Sequence, residues 1–406
     1  MNIKSYIGTA MALLLLLSPA FGQVDSQWRG PNRDGKYPGK NLLNVWPEEG
    51  PSLIWSAEDL GEGFSSAAVT ADRVYITGLF GSSGFLFALD HSGKLLWKKE
   101  YGKEWSGSHP GARTTPTVVG NRIYLMSAFG LVVCFDRDGK MVWSLDLQKQ
   151  YKAPILEWGM TESLLIDGDR LFCTPGGPAV MMAVLDRHTG KVLQEIKGNG
   201  QASGYCSPCL IRHGGRRLVL TMTAKSVVAV DADSGEYLWK QPHVTDYDVN
   251  ANTPLYIDGR VYVVSGYGTG GQMFQPSADG SSTKKVWANG NPDSQMGSII
   301  ALNGTIFGSG HNNRGWHAVD WTSGETLYSQ LAIGNKGNLI YADGLLYAYS
   351  ERGDVALVKP DRDNFTVVSS FRIQAGSGPH WAHPVIKDGR LYVRHGNTLL
   401  VYQIGN

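Results

Sequence analysis

The chain has 406 residues, 42% of them apolar, with 37 Lys and Arg against 36 Asp and Glu. That is enough for a sizeable buried core, and the near-zero charge balance gives no electrostatic reason for nucleic acid or an anionic lipid surface as main partner. The 51 glycines and 18 prolines are spread along the chain at turns, which excludes a low-complexity protein.

At the start, Lys4 precedes the apolar run Ala10 to Leu17, and Ala20-Phe21-Gly22 has a small-x-small form. The run is well short of the roughly 20 residues a membrane-spanning helix needs, so residues 1–22 read as a cleaved export signal. No cysteine stands beside that site for lipid attachment, and no other segment is long and apolar enough to span a bilayer. The expectation is a soluble monomer, periplasmic or secreted, with residues 23–406 forming one domain.

Residues 23–62 form an N-terminal segment with two features. Gln27 to Gly35 is dense in turn formers, and Pro51 to Ser56 looks like an outer strand detached from the repeats that follow. Those repeats are clearest in Thr115 to Trp143. Strand chemistry in Pro-Thr-Val-Val is broken by Gly120-Asn121 and resumes as Arg-Ile-Tyr-Leu. A Leu-Val-Val-Cys-Phe run then leads through Asp-Arg-Asp-Gly into Lys-Met-Val-Trp. One unit is thus a four-stranded antiparallel meander. Aligned positions are Tyr75, Tyr124, Phe172, Val219, Tyr262, Phe307, Tyr347 and Tyr392, 40 to 49 residues apart, the period of propeller blades.

The reading is therefore all-β: an eight-bladed β-propeller of four-stranded antiparallel blades. Blade eight runs from about His383 to Tyr402 and lacks an outer strand, which Leu53 to Trp55 supplies, so an N-terminal strand closes the ring. Trp97, Trp143, Trp239 and Tyr328 follow Asp-x-x-Gly-like turns and are expected to wedge between neighbouring blades.

Cys134 and Cys173 read as buried small residues inside strands. Cys206-Ser-Pro-Cys209 has no second CxxC or CxxH to complete a zinc site. Ser265 to Gly271 is glycine-rich, but no helix follows to cradle a phosphate, and no hydrolase motif is present.

In a propeller, residues entering the innermost strands ring the central channel. Ser66, Thr115, Ser163, Ser207, Thr253, Ser298, Asn338 and His383 take that place, and the hydroxyls are expected to bond between blades. Just before them come Phe64, Arg113, Glu162, Tyr205, Asn250, Asn252, Gln295, Met296, Lys336, His380 and Trp381. Charges, amides and aromatics gathered at one mouth suit a polar ligand with flat faces. The candidate site is Arg113, Glu162, Tyr205, Asn252, His380, Trp381 and His383. Trp381 would offer a stacking face, Glu162 and the histidines would bond hydroxyls or exchange protons near neutral pH, and Arg113 would orient a carboxylate.

The Asp-x-x-Ser/Thr-Gly-Lys/Glu turns followed by Leu-x-Trp resemble the PQQ-like (pyrroloquinoline quinone) β-propeller repeat of the quinoprotein alcohol dehydrogenase-like superfamily. Trp28 to Gly35, Glu62-Gly-Phe-Ser65, Ser265-Gly-Tyr-Gly268 and Trp381-Ala-His-Pro-Val385 are similar to exported propellers of Bacteroidetes and Planctomycetes-type bacteria. The resemblance implies the fold and leaves function open. The superfamily holds quinoprotein dehydrogenases and the propeller lipoprotein of the outer-membrane assembly machine. The dehydrogenases carry PQQ over a Trp beneath a disulfide of adjacent cysteines, with Ca²⁺ on Glu, Asn and Asp. This chain has no adjacent cysteine pair, although Glu162, Asn252 and Trp381 are of the right types.

Three readings follow. The first is an exported, non-catalytic module that binds a small molecule, a glycan or a protein segment in the funnel, with no cofactor or metal. The second is a PQQ- and Ca²⁺-dependent dehydrogenase acting on an alcohol or sugar. The third is a scaffold for envelope assembly.

Overall fold

The computed structural model describes residues 24–198, 200–297 and 299–405. The expected export signal and Ser298 lie outside the described residues. Eight four-stranded antiparallel sheets form a ring, an eight-bladed β-propeller. The blades begin with the innermost strands Ala68–Val69, Thr117–Val119, Leu165–Asp167, Cys209–His213, Leu255–Ile257, Ile300–Leu302, Gly337–Ala342 and Val385–Lys387, here blades 1 to 8. Each of the eight aligned repeat residues sits on the second strand of its blade opposite the first, as in Ala68 opposite Tyr75, Thr117 opposite Tyr124 and Val385 opposite Tyr392. All eight are buried, because the middle strands of a blade are covered on both faces by neighbouring blades.

Ring closure follows the sequence reading. Leu53–Ala57 pairs antiparallel with Thr398–Gln403 and becomes the outer strand of blade 8. Trp55 on that strand shows how blades dock. Its indole N–H donates to His91 O on blade 1 (2.9 Å), and its ring lies against Gly93. The same bond recurs from Trp97 to Arg137 O, Trp143 to Arg187 O, Trp239 to Gly280 O and Trp287 to Trp321 O. Glycine is required where these rings land. A Cβ on Gly93, Gly139, Gly190 or Gly324 would fall 2.5–3.0 Å from an indole carbon, and each has positive φ. Gln194 replaces the indole at the junction of blades 3 and 4, where its Nε2 bonds Ser234 O. Tyr328 is buried, but its hydroxyl makes no such bond.

The N-terminal segment does more than close the ring. Before reaching Leu53, residues 24–43 cross the central channel. Ser26 bridges Val118 on the innermost strand of blade 2, Lys36 bridges Tyr341 on that of blade 7, and Leu42 bridges Gly405 after blade 8. Arg29 and Arg33 lie at the middle of this strap, both fully buried. Arg33 donates to Ser163 O and Pro208 O, each at 2.9 Å, and to Leu164 O, while Arg29 donates to Ile299 O (2.5 Å) and Gly297 O. The strap thereby fastens to the inner ends of blades 3, 4 and 6.

Trp239 is buried at the junction of blades 4 and 5. Trp239→Ala should lower the unfolding free energy by about 3–5 kcal/mol, as large aromatic truncations in cores do. Urea unfolding measures this, and a loss below about 1 kcal/mol, the scale of a surface change, would contradict the wedge.

Candidate functional site

Where each blade begins, the chain runs extended toward the channel and its side chains alternate in direction. The ring positions bond blade to blade. The Ser66 N–H donates to Thr115 Oγ1 (2.9 Å), Thr115 N–H to Ser163 Oγ (3.0 Å), and Ser163 N–H to Ser207 Oγ (2.9 Å). One residue earlier the side chain turns into the wall. Two residues earlier it faces the channel again, and the eight residues there are Phe64, Arg113, Thr161, Tyr205, Ala251, Met296, Lys336 and Trp381. All eight line one cavity of about 510 Å³. Trp28 of the strap lies at its floor, its indole N–H on Thr253 Oγ1 (3.2 Å). Beyond the strap, Asn32, Arg33, Asp34 and Lys36 line a second cavity of about 250 Å³. The strap thus divides the channel and makes the larger chamber blind at one end.

This alternation sorts the seven candidate residues. Arg113, Tyr205, Trp381 and His383 line the cavity. Glu162, Asn252 and His380 stand at the intervening positions and do not. Glu162 is buried in the wall, where its Oε2 accepts the Thr174 N–H (3.0 Å) and its Oε1 has no hydrogen-bond partner among the described residues. Asn252 donates to Ser294 O (2.7 Å). His380 stacks on His395 with ring centroids 3.5 Å apart and shares a 2.6 Å hydrogen bond with the Tyr349 hydroxyl.

Proton exchange near neutral pH, expected of the histidines, does not fit their surroundings. His383 Nε2 faces Met296 O (2.5 Å) and Nδ1 faces an Arg29 N–H (3.3 Å). A carbonyl only accepts and a guanidinium only donates, so the ring is neutral with its proton on Nε2. Burial, then Arg29, holds its pKa down to about 3. His380 is held down to about 4 by burial, then by His395 and Arg372.

Loop residues that the repeat pattern did not mark complete the lining: His109, Trp158, Tyr267, His311 and Glu351 among them. Buried carboxylates set the loops of His109, Tyr267 and His311. Asp293 accepts backbone N–H groups from Gly268 (2.9 Å), His311 (2.7 Å) and Asn312 (2.8 Å), fixing the loops that carry Tyr267 and His311. Glu104 accepts from the Tyr101 hydroxyl (2.6 Å), Trp105 N–H (2.8 Å) and Ala128 N–H (3.1 Å) at the base of the loop bearing His109 and Arg113.

Two kinds of surface result. A polar belt runs from the Trp381 indole N–H to Glu351 Oε1 (2.8 Å), then Lys336 Nζ (3.1 Å), Gln295 Oε1 (3.2 Å), and from Gln295 Nε2 to the Tyr267 hydroxyl (2.8 Å). An aromatic run continues through Tyr247, Trp158 and Tyr205, with successive ring centroids 5.5–6.2 Å apart from Tyr267 onward. Between its ends, Trp381 packs on Phe64 (5.1 Å) and His109 (5.0 Å), and Arg113 lies over Phe64 (5.5 Å). Among the described residues Glu351 is the one carboxylate in this lining. Among the described residues no group of three or more His, Cys, Asp or Glu side chains is placed to hold a metal ion. All four cysteines are buried free thiols, and burial pushes Cys206 and Cys209 up to about 12.

Fold and cavity together define an eight-bladed propeller with a strap-floored, aromatic central chamber. The chain belongs to the PQQ-like β-propeller family: the family profile described as outer membrane protein assembly factor BamB matches residues 82–330, more than half of the sequence. No curated protein matches it significantly. Among solved structures it is similar to BamB from Moraxella catarrhalis, with TM-score 0.61 and 16% identity over 87% of this chain and 97% of that one. The computationally designed Ika8 protein is similar at TM-score 0.59 and 13% identity, over 87% and 99% of the two chains. A europium-containing methanol dehydrogenase aligns at TM-score 0.49 and 13% identity, over 92% and 90%. At such identities the likeness is one of fold.

Burial raises the Glu162 carboxyl pKa to about 8, against the opposing pull of Thr174 and Arg33. A raised folded pKa means stability is fully present below the unfolded value near 4.5 and is lost as pH rises toward 8. Glu162→Gln should therefore melt like the parent at acid pH and increasingly above it between pH about 4.5 and 8, with a constant gain beyond. Thermal melts across pH check this; a pH-independent difference would contradict it.

Proposed function

We propose that this protein is an exported, non-catalytic binding module whose central chamber takes a small polar ligand with flat faces, a glycan unit before others. The observation that carries the reading is the chamber itself: about 510 Å³, closed below by Trp28, with aromatic faces on one side and a belt of fixed donors and acceptors on the other. Sugars present weakly apolar ring faces for stacking and hydroxyls for such a belt. A blind chamber favours a small ligand, or the end of a longer one, over a threaded protein segment.

Two further observations support binding over quinone-dependent redox chemistry. Calcium takes about six to eight oxygen ligands, whereas among the described residues Glu351 is the only lining carboxylate and one of its oxygens is engaged by both Lys336 and Trp381. Glu162 and Asn252, the residue types the resemblance offered for the metal, are turned into the wall. These donors do not fit the group. The scaffold reading draws on the description of the matching family as an outer-membrane assembly factor, and export of this chain is proposed on the same grounds together with residues 1–22. Among the described residues no helix is long and apolar enough to cross a membrane.

The test is titration of a glycan panel by calorimetry. Trp381→Ala should weaken binding on the order of tenfold or more, about 1.4 kcal/mol, while Trp287→Phe at a blade junction should not. Equal binding by Trp381→Ala and the parent would move the site away from the chamber. Saturable binding of PQQ with Ca²⁺ and dye reduction in the presence of an alcohol or sugar would replace the reading altogether.

A further inference from the structure

The charge around the chamber is not balanced. Arg113 spends two of its N–H groups on carbonyls of its own loop, Gly111 O (3.0 Å) and His109 O (2.7 Å). No carboxylate of the described residues comes within ion-pairing distance of it. Glu104 attracts it from behind, but the contacts of that carboxylate are with Tyr101, Trp105 and Ala128. The other lining cation, Lys336, is already paired with Glu351, the one carboxylate of the lining among the described residues. Arg113 is half-buried and lies over an aromatic ring. Removing a guanidinium from water without a counter-charge is costly, and its planar fork matches a carboxylate or similar oxyanion in two parallel hydrogen bonds.

A second observation, independent of Arg113, gives the direction in which the ligand extends. A basin of about 540 Å³ adjoins the chamber and shares His311, Lys336 and Glu351 with it. It adds Arg314 and Arg352, both exposed and neither ion-paired among the described residues. A ligand running from the chamber into this basin would pass four cations and one carboxylate, and that carboxylate is already neutralised.

Building on the glycan reading above, we propose that the ligand is an acidic oligosaccharide, one anionic sugar held in the chamber by Arg113 and the following ones laid over Arg314 and Arg352. The aromatic faces at Phe64 and Trp381 stack the first ring, and Arg113, which lies over Phe64, takes its acidic group. Carboxylate and sulfate share this chemistry, so both are used as probes.

The experiment titrates the full protein at low salt with uronate di- and tetrasaccharides, sulfated counterparts, and neutral sugars of the same linkage. An acidic sugar should bind about tenfold or more tightly than its neutral counterpart, the scale of one charge-assisted contact, and salt should weaken only the acidic one. Arg113→Gln should erase the preference, and Arg113→Lys, which keeps the charge without the fork, should keep part of it. The double variant Arg314→Gln/Arg352→Gln should weaken the tetrasaccharide and leave the disaccharide unchanged. Whether uronate or sulfated probes bind names the acid and supports the inference either way. Equal binding of acidic and neutral sugars, or a preference that survives in a folded Arg113→Gln, overturns the inference while leaving the glycan reading intact. If no sugar of any class binds up to about millimolar concentration, a free energy near −4 kcal/mol, both fall together.

Discussion

Two arginines fastened to backbone carbonyls carry the architecture of the site. At the centre of a propeller the inner strands converge, and the carbonyls at their entry cannot all find partners within their own blades. Left dry and unpaired, each would cost as much as a lost hydrogen bond. Arg33 meets three such carbonyls from blades 3 and 4, and Arg29 meets two beside blade 6. Neither forms an ion pair among the described residues. Burial lowers the pKa of both to about 10, so each stays charged at neutral pH and bonds as a cation to neutral oxygens, which are stronger contacts than those of neutral donors. The turn geometry that aims them is unusual, with φ of 57° at Arg29 and 58° at Arg33, flanked by Gly30 and Gly35 at 81° and 78°. This strain is held because the strap is bonded at both ends and in the middle.

The consequence for function is geometric. An open channel would be wet and would offer a ligand a tube of hydroxyls. With the strap in place, Trp28 and His383 meet edge to face, 4.7 Å between centroids, and form a floor. The chamber above it holds most of its chemistry in side chains fixed from behind, by Glu104 under the Arg113 loop and Asp293 under the Tyr267 and His311 loops. Such rigidity lowers the ordering cost of binding. It also separates positions that the sequence places side by side: Glu162 and Asn252 belong to the wall, Arg113 and Trp381 to the chamber lining.

Much of this was legible before the structure. The fold was, because each blade needs the same alternation and the same turns, and eight copies make the period plain. Ring closure was legible from Leu53-Ile-Trp55, which matches outer strands such as Lys94-Leu-Leu-Trp97. The candidate site was only half legible. Nearness to the inner strands alone does not separate lining from wall, whereas the two-residue alternation of extended chain does. Counting back two positions from Ser66, Thr115, Ser163, Ser207, Thr253, Ser298, Asn338 and His383 would have picked eight lining residues and passed over Glu162, Asn252 and His380. Gln295 lines the chamber outside this rule. Other residues could not have been found this way. Trp158, Tyr267, His311 and Glu351 sit on loops outside the repeat pattern, and those of Tyr267 and His311 are set by the buried Asp293 carboxylate. The strap gave a signal, the density of arginine and turn formers in Trp28 to Gly35, but nothing in it named the carbonyls it would meet.

The claim on which the account rests is that residues 24–43 are part of the folded interior. Hydrogen–deuterium exchange of the backbone amides of Asp25, Gly35, Tyr37 and Leu43 measures it, since these donate to Val118 O (2.9 Å), Arg29 O (2.9 Å), Tyr341 O (2.8 Å) and Ile404 O (2.6 Å). The account predicts exchange as slow as that of amides in the middle strands of the blades. Exchange at free-chain rates while the blades stay protected would mean a channel open at both ends, and the chamber described here would not exist.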